Sequence, residues 1–408
     1  MSSQPGRTPS VLLASDSFKG SASSRRIEDL LEEGVRRVVP DCSVVKYPIA
    51  DGGEGTVDAV IDACGGEIRK AVVRGPLGDD VTAEYGLLTD GSAIIEMAQA
   101  SGITLIEQTC GNALGASTYG VGQVILDAID AGARRIYIGL GGSATSDGGT
   151  GMAKAFGVRF LDVDGADAPC GLAGLRSIAS IDMTGIDPRI AQTEFVALTD
   201  VSDPLVGPSG AVCIYGPQKG LPSGRFAELD GWMRRYADVV NTTTGVNVTD
   251  LPGAGAAGGL GAGLAAFCDA EIRSGIETVL DLIGLEDVMD SVDVVITGEG
   301  RMDAQSANGK APVGVARRAK RHGKPVVAVV GGRADDLGAV YDMGIDLVVP
   351  AIPAPASLDE CLARTDVNIP IAGETAIRAF LLGRDGFSAP ASPPREELPR
   401  STSHLNGH

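Results

Sequence analysis

Residues 51–56 read DGGEGT, and the interpretation of the whole chain starts from this stretch. Residues 43–47 before it alternate like a β-strand, and residues 57–63 after it have the apolar spacing of a helix. Three glycines and two carboxylates are unfavourable at such a turn, because glycine loses backbone entropy on folding and neighbouring carboxylates repel. A tight turn with an acidic helix N-terminus is one explanation, and a ligand approached closely by the backbone is the other. Taken alone, the stretch leaves both open.

A β-α-β unit surrounds this stretch. An apolar strand at residues 10–14 is followed by a polar loop containing Asp16, and apolar residues at helical spacing predict a helix that ends before Pro40. The two strands of such a unit are parallel, with a right-handed crossover. The loops at Asp16 and Asp51 should therefore leave the carboxyl ends of adjacent strands, which is the edge where open α/β sheets bind ligands.

The same alternation of strands and helices returns near the end of the chain. Strands are predicted at residues 292–297, 325–330 and 346–349. Helices are predicted at residues 312–321 and near residues 373–382. Both ends of the chain therefore have the pattern of one α/β sheet.

The domain organisation follows from the contrast with the middle of the chain, where strands and turns are not regularly separated by helices. We expect an α/β domain built from residues 8–64 and 290–384, with a second α/β domain inserted at residues 65–289. The tail, residues 385–408, is rich in Pro, Ser and charge, and it and residues 1–7 are expected to be disordered.

Composition and charge exclude several classes of partner. The net charge is −19, from 34 Lys and Arg against 53 Asp and Glu, which argues against nucleic acid and anionic membrane surfaces. The seven cysteines occur singly and the N-terminus lacks the apolar core of a signal peptide, so we expect a cytoplasmic protein with reduced thiols. Residues 251–268 are uncharged, but their six glycines and one proline make them too weakly hydrophobic for a membrane span.

Histidine is too scarce to supply a catalytic base. Of the three histidines, His404 and His408 lie in the tail and His322 lies at the predicted end of a helix. A histidine-based mechanism and a His-rich zinc site are therefore excluded. If the protein is an enzyme, its base is a carboxylate.

Charged side chains gather in the glycine-rich loops, and residues 147–151 repeat the D-G-G-x-G pattern of residues 51–55. Carboxylates that bind a metal or accept a proton suit phosphoryl transfer when cations for the phosphates accompany them. Each charge could instead be a helix cap or a solvated surface group, and only their shared location in glycine loops favours the functional interpretation. The charged loop residues are Asp16, Asp51, Glu54, Asp147, Asp200, Glu299 and Asp303, with the cations Lys19, Lys219, Arg301 and Lys310.

A kinase built from these loops would not belong to the P-loop class. Gly309 and Lys310 are followed by Ala311, and the upstream glycine of a Walker A motif is missing at the required spacing.

Six segments of the chain carry a more specific pattern: residues 15–20 (SDSFKG), 48–56 (PIADGGEGT), 141–145 (GGSAT), 147–149 (DGG), 216–220 (GPQKG) and 297–301 (TGEGR), the last with Asp303 and Gln305. In this order they resemble the type-1 glycerate kinase family, over nearly the whole chain from about Val11 to about Leu382. The departures are mild and bear on fine substrate preference. The family pattern has Asn where this chain has Ser146 and Asp203, Glu at Gln123 and Thr at Ser306.

The resemblance implies both a fold and an activity. The fold is α/β with two domains, in which a flavodoxin- or Rossmann-like parallel-sheet domain is formed by both chain ends and a second α/β domain is inserted. The activity is phosphorylation of D-glycerate with ATP and Mg²⁺, expected to give 2-phosphoglycerate, although the residues themselves leave the 2- and 3-hydroxyls open. A homodimer without nucleic-acid or membrane partners is a further expectation.

The roles of individual residues form a hypothesis. Asp51 or Asp303 is expected to accept the proton of the substrate hydroxyl, with Asp16 as a further catalytic candidate. The substrate is expected to contact Arg301, Lys19, Ser17, Gly52 and Gly53. Mg²⁺ is expected to contact Glu54 and Glu299, and the nucleotide to contact Gly141, Gly142, Ser143, Thr145, Asp147, Lys219 and Lys310.

Two other functions were considered. A nicotinamide-dependent dehydrogenase of a small hydroxy acid could use Gly253, Gly255 and Gly258, which form a G-x-G-x-x-G pattern. That pattern requires a buried strand directly before it, and Pro252 at the joint predicts that there is none. A non-catalytic small-molecule sensor on the same fold would require losses among the acidic loop residues, and none is found.

Overall fold

The structure is a computed structural model that describes residues 7–384, apart from the side chain of Asn308. Disorder was predicted for residues 1–7 and 385–408. Apart from Arg7, these residues lie outside the described range. The strands are β1 (Ser10–Ser15), β2 (Ser43–Lys46), β3 (Gly66–Arg74), β4 (Asp80–Leu88), β5 (Ser92–Glu96), β6 (Arg135–Gly139), β7 (Arg159–Leu161), β8 (Ser180–Asp182), β9 (Glu194–Leu198), β10 (Glu271–Arg273), β11 (Val294–Met302), β12 (Val326–Arg333) and β13 (Leu347–Pro350).

The α-helices are α1 (Ser24–Val38), α2 (Thr56–Cys64), α3 (Ala98–Ser101), α4 (Cys110–Gly115), α5 (Tyr119–Asp130), α6 (Thr150–Ala155), α7 (Leu172–Leu175), α8 (Ala211–Tyr215), α9 (Phe226–Thr244), α10 (Ala256–Cys268), α11 (Gly275–Leu282), α12 (Glu286–Met289), α13 (Ala311–Arg321), α14 (Gly338–Asp342), α15 (Leu358–Ala363) and α16 (Thr365–Arg384). Short 3-10 turns lie at Ile103–Leu105, Ile190–Gln192, Pro217–Lys219, Ser223–Arg225 and Ala304–Asn308.

The first sheet combines strands from both ends of the chain. Its order is β2-β1-β11-β12-β13, and all neighbours are parallel. This is the strand order of flavodoxin-like doubly wound sheets, in which the winding direction changes between the first strand and the third, here between β1 and β11. The predicted parallel β-α-β unit and the flavodoxin-like architecture are confirmed.

Helices cover both faces of the first sheet, which fits the apolar runs of β1, β12 and the first half of β11. Val11 and Leu13 of β1 pack with α1 and α16 on one face. Leu12 and Ala14, which point the opposite way, pack in a cluster that includes α13. Ser23 caps α1 by accepting the backbone N–H of Arg26.

The second sheet lies within the middle of the chain and has the order β10-β9-β6-β5-β4-β3. β3, β4 and β5 are antiparallel neighbours, whereas β5, β6, β9 and β10 are parallel. A separate two-stranded sheet pairs β7 with β8. The mixed strand directions explain why this part of the sequence lacks regular β-α alternation.

The two sheets share a buried interface. One hydrophobic cluster extends from Leu12 and Ala14 of the first sheet to Val196 and Leu198 of the second. α2 packs against β4 and β5, and α11 contacts both α13 and β9. The strands of the second sheet fall between those of the first along the chain, as an inserted domain requires. The exact boundaries at residues 64/65 and 289/290 remain a prediction.

The last helix differs from its predicted position near residues 373–382. α16 begins at Thr365 and contains Pro370, which cannot donate a helical hydrogen bond. Close packing against α1 compensates for the missing hydrogen bond. The helices approach so closely that a Cβ atom on Gly34 would lie only 2.1 Å from the carbonyl oxygen of Pro370. This segment is therefore helical because of its tertiary contacts, although its local helix propensity is low.

The G-x-G-x-x-G pattern does not follow a strand. Residues 247–252 are irregular, and the element before them is the long helix α9. The context that a dinucleotide fingerprint requires is therefore missing, as predicted.

Over residues 7–384, none of the helices combines the length and the apolar character that crossing a membrane would require.

Candidate active site

Asp16 and Glu299 lie where the first sheet changes its winding direction. Asp16 follows β1, and Glu299 lies near the end of the neighbouring strand β11. The two segments are joined by a hydrogen bond from the backbone N–H of Asp16 to the carbonyl oxygen of Gly298, at 2.9 Å. Open α/β sheets bind ligands outside the carboxyl ends of their strands at such a point. The topology therefore places a candidate site here.

Residues 51–56 follow β2 and reach across to the second sheet. A Cβ atom on Gly139, at the end of β6, would lie 2.2 Å from the carbonyl oxygen of Gly52. A Cβ atom on Gly275, at the start of α11, would lie 2.2 Å from the carbonyl oxygen of Asp51. Gly52 also has a φ of 88°, a backbone conformation that favours glycine. The glycines thus allow this loop to lie tightly between the sheets, where it holds Asp51.

Asp51 is close to carboxylates from both sheets. Burial, followed by the charge of Asp51, raises the pKa of Asp16 to about 7. Asp200 follows β9 of the second sheet, where burial raises its pKa to about 6 and the charge of Asp51 adds to the effect. Asp200 accepts hydrogen bonds from Ser274 Oγ at 2.7 Å and from the backbone N–H of Ile276 at 3.1 Å. Crowded carboxylates of this kind are relieved by protonation or by a cation.

Glu299 adds a carboxylate with an unused oxygen. Its side chain is buried, and burial raises its pKa. Oε2 lies 3.4 Å from Nζ of Lys310, whereas Oε1 has no hydrogen-bond partner. Within residues 7–384, no three His, Cys, Asp or Glu side chains are placed to hold a metal by themselves. A metal at Glu299 would therefore also need oxygen atoms from substrate and water.

Asp16, Asp51 and Glu299 line a cleft of about 520 Å³, here called the main cleft. The charged part of its lining brings together seven of the predicted site residues: Asp16, Ser17, Lys19, Asp51, Glu299, Arg301 and Lys310. Another part is largely apolar and comes from the segment after β13, from α15 and from the start of α16. The main cleft therefore has a charged part and an apolar part.

A second cavity of about 540 Å³ shares the loop after β1 and is here called the side cavity. Ser17 and Lys19 line both cavities, whereas Glu54 lines only the side cavity. Glu54 and Glu299, predicted as joint ligands of Mg²⁺, therefore face different cavities. The reason is that the start of α2 is held by the second sheet, where Glu96 Oε1 accepts the backbone N–H of Val57 at 2.9 Å.

Asp303 lies near the main cleft but is not among the described residues that line it. It caps the 3-10 turn that follows β11, and its Oδ1 accepts the backbone N–H of Gln305 at 2.9 Å. Ser306 Oγ in turn accepts the backbone N–H of Asp303 at 3.2 Å. The position of Asp303 thus fits a structural cap better than a proton acceptor.

Asp147 and Lys219, both predicted to contact the nucleotide, lie in buried hydrogen-bond networks. Asp147 is fully buried and accepts hydrogen bonds from Thr118 and from the backbone N–H groups of Gly149 and Gly151. Lys219 is also buried, which lowers its pKa to about 7, and its Nζ donates to Ser143 Oγ at 2.9 Å and to the carbonyl oxygen of Thr145 at 2.6 Å. Both side chains are thus held by buried hydrogen bonds, and they line neither described cavity.

The glycines of residues 141–151 serve backbone packing. Gly141 touches the loop of residues 51–56, because its N–H donates to the carbonyl oxygen of Gly52 at 3.4 Å. The carbonyl oxygen of Gly142 accepts the N–H of Ile103. A Cβ atom on Gly258 would lie 1.9 Å from the carbonyl oxygen of Thr145, so the G-x-G-x-x-G segment also packs against this loop.

Three residues at the site were not assigned a role from the sequence. Asp200 and Glu96 both lie at the carboxyl ends of parallel strands, the same signal that identified Asp16. Asn368 lines the main cleft from α16, and its Oδ1 is buried without a partner. No sequence signal marked it, because the helix was predicted to begin after it.

Comparison with known proteins gives one consistent family. The model of the Glycerate kinase family matches residues 11–381. A glycerate kinase of Halalkalibacterium halodurans is 46% identical over 357 residues, which cover 87% of this chain and 94% of the relative. A glycerate 2-kinase of Escherichia coli is 43% identical over 374 residues, or 91% of this chain and 98% of the relative.

The fold has a close match among solved structures. A crystal structure from Salmonella typhimurium LT2, provisionally named glycerate kinase 2, superposes with a TM-score of 0.80 at 40% identity. The match covers 93% of this chain and 100% of the Salmonella chain.

Proposed function

The chain belongs to the glycerate kinase family, and from this premise we propose that it transfers the γ-phosphoryl group of ATP to the 2-hydroxyl of D-glycerate. The family makes the protein a phosphotransferase with an alcohol group as acceptor. The observation that carries the proposal is the convergence of Asp16, Asp51 and Glu299 with three cations in the main cleft. Phosphoryl transfer needs little covalent chemistry from a protein, so positioning and charge of this kind are sufficient.

Glycerate is a small anion with hydroxyl groups, and the main cleft offers partners for both. Arg301 is the first candidate for its carboxylate, because guanidinium binds carboxylates in a bidentate way. Lys19 is the second, and Ser17 supplies a hydroxyl. Gly52 and Gly53 shape the loop that carries Asp51, so their part in binding is to fix its backbone.

A carboxylate must accept the proton of the attacking hydroxyl, and the geometry favours Asp51 and Asp16 over Asp303. Both line the main cleft, whereas Asp303 is occupied as a cap. A pKa of about 7 suits Asp16 to proton transfer near neutral pH. Asp51 stands at the meeting point of the sheets, so it is our first candidate for the base.

The residues present fit a divalent cation bound with ATP. Glu299 has a buried oxygen without a partner, and Asp16 has a pKa raised by burial and by neighbouring carboxylates. These two are therefore our candidates to hold Mg²⁺, whereas Glu54 faces the side cavity. Such an ion would neutralise part of the negative charge of the ATP phosphates. Lys310 lies next to Glu299 and is our candidate for a phosphate contact.

The loop of residues 141–151 takes a supporting part in this proposal. Its polar side chains are buried, and Lys219 is occupied by Ser143 and Thr145. We propose that this group of residues holds the loops of the second sheet against residues 51–56. The group consists of Gly141, Gly142, Ser143, Thr145, Asp147 and Lys219.

A coupled assay of ADP release tests the proposal. The purified full chain is given ATP and Mg²⁺ with D-glycerate, L-glycerate or glycerol. We expect turnover with D-glycerate, loss of turnover on removal of Mg²⁺ by a chelator, and little turnover with glycerol, which lacks a carboxylate for Arg301. ADP release that does not depend on D-glycerate would contradict the proposal.

The position of the phosphate is measured on the product. Phosphorus in 2-phosphoglycerate couples to one carbon-bound proton and gives a doublet in the ³¹P spectrum, whereas phosphorus in the 3-isomer couples to two protons and gives a triplet. We expect the doublet, and a triplet would contradict attack by the 2-hydroxyl.

A cytoplasmic location and a homodimeric state also remain predictions. Light scattering on the purified chain measures the second, with a mass of twice 41.5 kDa as the expected result.

A further inference from the structure

The apolar part of the main cleft is larger than glycerate needs. It includes Ile352, Leu358, Leu362 and Ile369, and Leu358 is 73% exposed. Exposed apolar side chains that gather at the edge of a cleft mark a place where a ligand is covered. Glycerate is polar throughout, so it gives these side chains nothing to contact.

A polar side chain in this part of the cleft lacks a partner. Asn368 is only 5% exposed, lines the main cleft, and has no hydrogen bond to its Oδ1. A buried acceptor without a donor is unfavourable, so a donor from a ligand would satisfy it. An asparagine carboxamide matches the amino group and the adjacent ring nitrogen of adenine, which offer one donor and one acceptor side by side.

The charged part of the same cleft contains Lys310, Arg301 and Glu299. A ligand that fits both parts has a flat apolar ring with an amino group at one end and several negative charges at the other. ATP, the donor in the proposed function on which this inference rests, has that form.

We propose that the apolar lining formed by Ile352, Leu358, Leu362 and Ile369 is the subsite for the adenine ring, and that Asn368 recognises its amino edge. The phosphates then extend toward Lys310 and Glu299, and the γ-phosphate reaches the carboxylates of Asp16 and Asp51. On the edge that carries N7, guanine presents two acceptors where adenine has a donor and an acceptor, so it leaves the oxygen of Asn368 without a partner when this edge is recognised. The subsite therefore selects adenine nucleotides.

Binding of ADP to the full chain by calorimetry tests this subsite without requiring turnover. Leu358→Asp places a charge beside the ring, and we expect it to raise the Kd for ADP by at least about tenfold. Asn368→Leu removes the polar edge, and we expect it to reduce the preference for ADP over GDP by about tenfold to a hundredfold. Leu382→Asp is the matched control, because Leu382 is 70% exposed on α16 and is not among the described residues of the main cleft.

Steady-state kinetics then separate the two proposals. If wild type turns over D-glycerate, Leu358→Asp should raise KM for ATP and leave KM for D-glycerate within about twofold, because the two substrates use different parts of the cleft. Unchanged Kd for ADP in both cleft variants, or an equal loss in Leu382→Asp, would overturn the subsite. Wild type that binds ADP as expected but does not phosphorylate D-glycerate would contradict the proposed function and leave the subsite supported.

Discussion

Asp16 shows how strongly the fold changes the chemistry of a single residue. Its ordinary pKa of 3.8 rises to about 7, because it is buried and because Asp51 and Glu299 are near. Lys19 and the backbone N–H of Ser17 oppose the shift but do not cancel it. In the absence of ligand, Asp16 therefore changes its protonation state near neutral pH and not near pH 3.8.

The shift predicts a pH dependence of stability. A carboxyl whose pKa is raised on folding stabilises the fold when protonated, so its contribution is complete below about pH 3.8 and is lost as the pH rises through about 7. We expect the melting temperature of ligand-free wild type to fall between about pH 4 and about pH 7 more steeply than that of Asp16→Asn, which cannot ionise. Thermal melts of both proteins measure this, and parallel pH profiles would contradict it.

Lys219 has buried hydrogen-bond partners that the sequence did not reveal. Its place in a glycine turn predicted a phosphate contact, but burial leaves it bonded to Ser143 and Thr145. A sequence pattern shows that a lysine is near glycines and does not show which way the turn faces. Asp147 is similar, since D-G-G-x-G at residues 51–55 builds the cleft and the same letters at residues 147–151 build a buried network.

Lys219→Met therefore tests a structural role against a binding role. Losing the donor to two buried acceptors should destabilise the fold by about 1–3 kcal/mol, which lowers the melting temperature by several degrees. KM for ATP should stay within about twofold. Melting curves and steady-state kinetics measure the two effects, and a large rise in KM with an unchanged melting temperature would show that Lys219 binds the nucleotide.

At the scale of elements, the loop of residues 51–56 is the connection between the two sheets. The strand-to-helix turn and its unusual composition could be predicted from the sequence, as could its position at the carboxyl edge of a parallel sheet. The close contacts with Gly139 and Gly275 could not, because they depend on how a second sheet packs against the loop. The close backbone packing explains the glycines and also brings Asp51 to the main cleft. The contact with a ligand stays a prediction.

Gly275→Ala tests this contact. The added Cβ atom would lie 2.2 Å from the carbonyl oxygen of Asp51, so the loop must move. We expect kcat to fall at least about tenfold, because a displacement of about 1 Å at a catalytic group has effects of this size or larger. Steady-state kinetics with D-glycerate measure the effect.

Gly231→Ala is the matched control for that substitution. Gly231 lies in α9, and a Cβ atom there would meet nothing within 4 Å. Its replacement should leave kcat unchanged and stabilise the fold by up to about 1 kcal/mol, because alanine loses less backbone entropy in a helix. Equal losses of activity in both variants would show that the effect of Gly275→Ala is not specific to the loop.

α16 illustrates what local propensity misses. Pro370 predicts a boundary, yet the helix continues through it because Gly34 of α1 allows close packing. That early start is what brings Asn368 into the main cleft. A prediction that begins the helix only after the proline therefore also misses Asn368, the residue that we assign to the adenine ring.

At the scale of the whole molecule, a parallel sheet formed by both chain ends meets a mixed sheet from the middle. The described lining of the main cleft comes from the two chain ends, with Asp51 contributed by the loop that packs against the second sheet. The alternation of strands and helices at the two chain ends was sufficient to predict the first sheet. It also predicted that this sheet is built from two separate parts of the chain. The sequence could not show that Glu54 and Glu299 face different cavities, because this depends on the anchoring of α2 to β5 through Glu96. It equally could not show that Asp200 of the second sheet approaches Asp51.

The central claim is that Asp51, held between the two sheets, acts on a substrate bound in the main cleft. The turnover number of Asp51→Asn with D-glycerate and MgATP, measured beside its melting curve, tests this most directly. We predict a fall of about 10²–10⁴ in kcat, the usual contribution of a general base, with little change in melting temperature because Asn keeps the size of the side chain. Turnover equal to that of wild type would contradict the account.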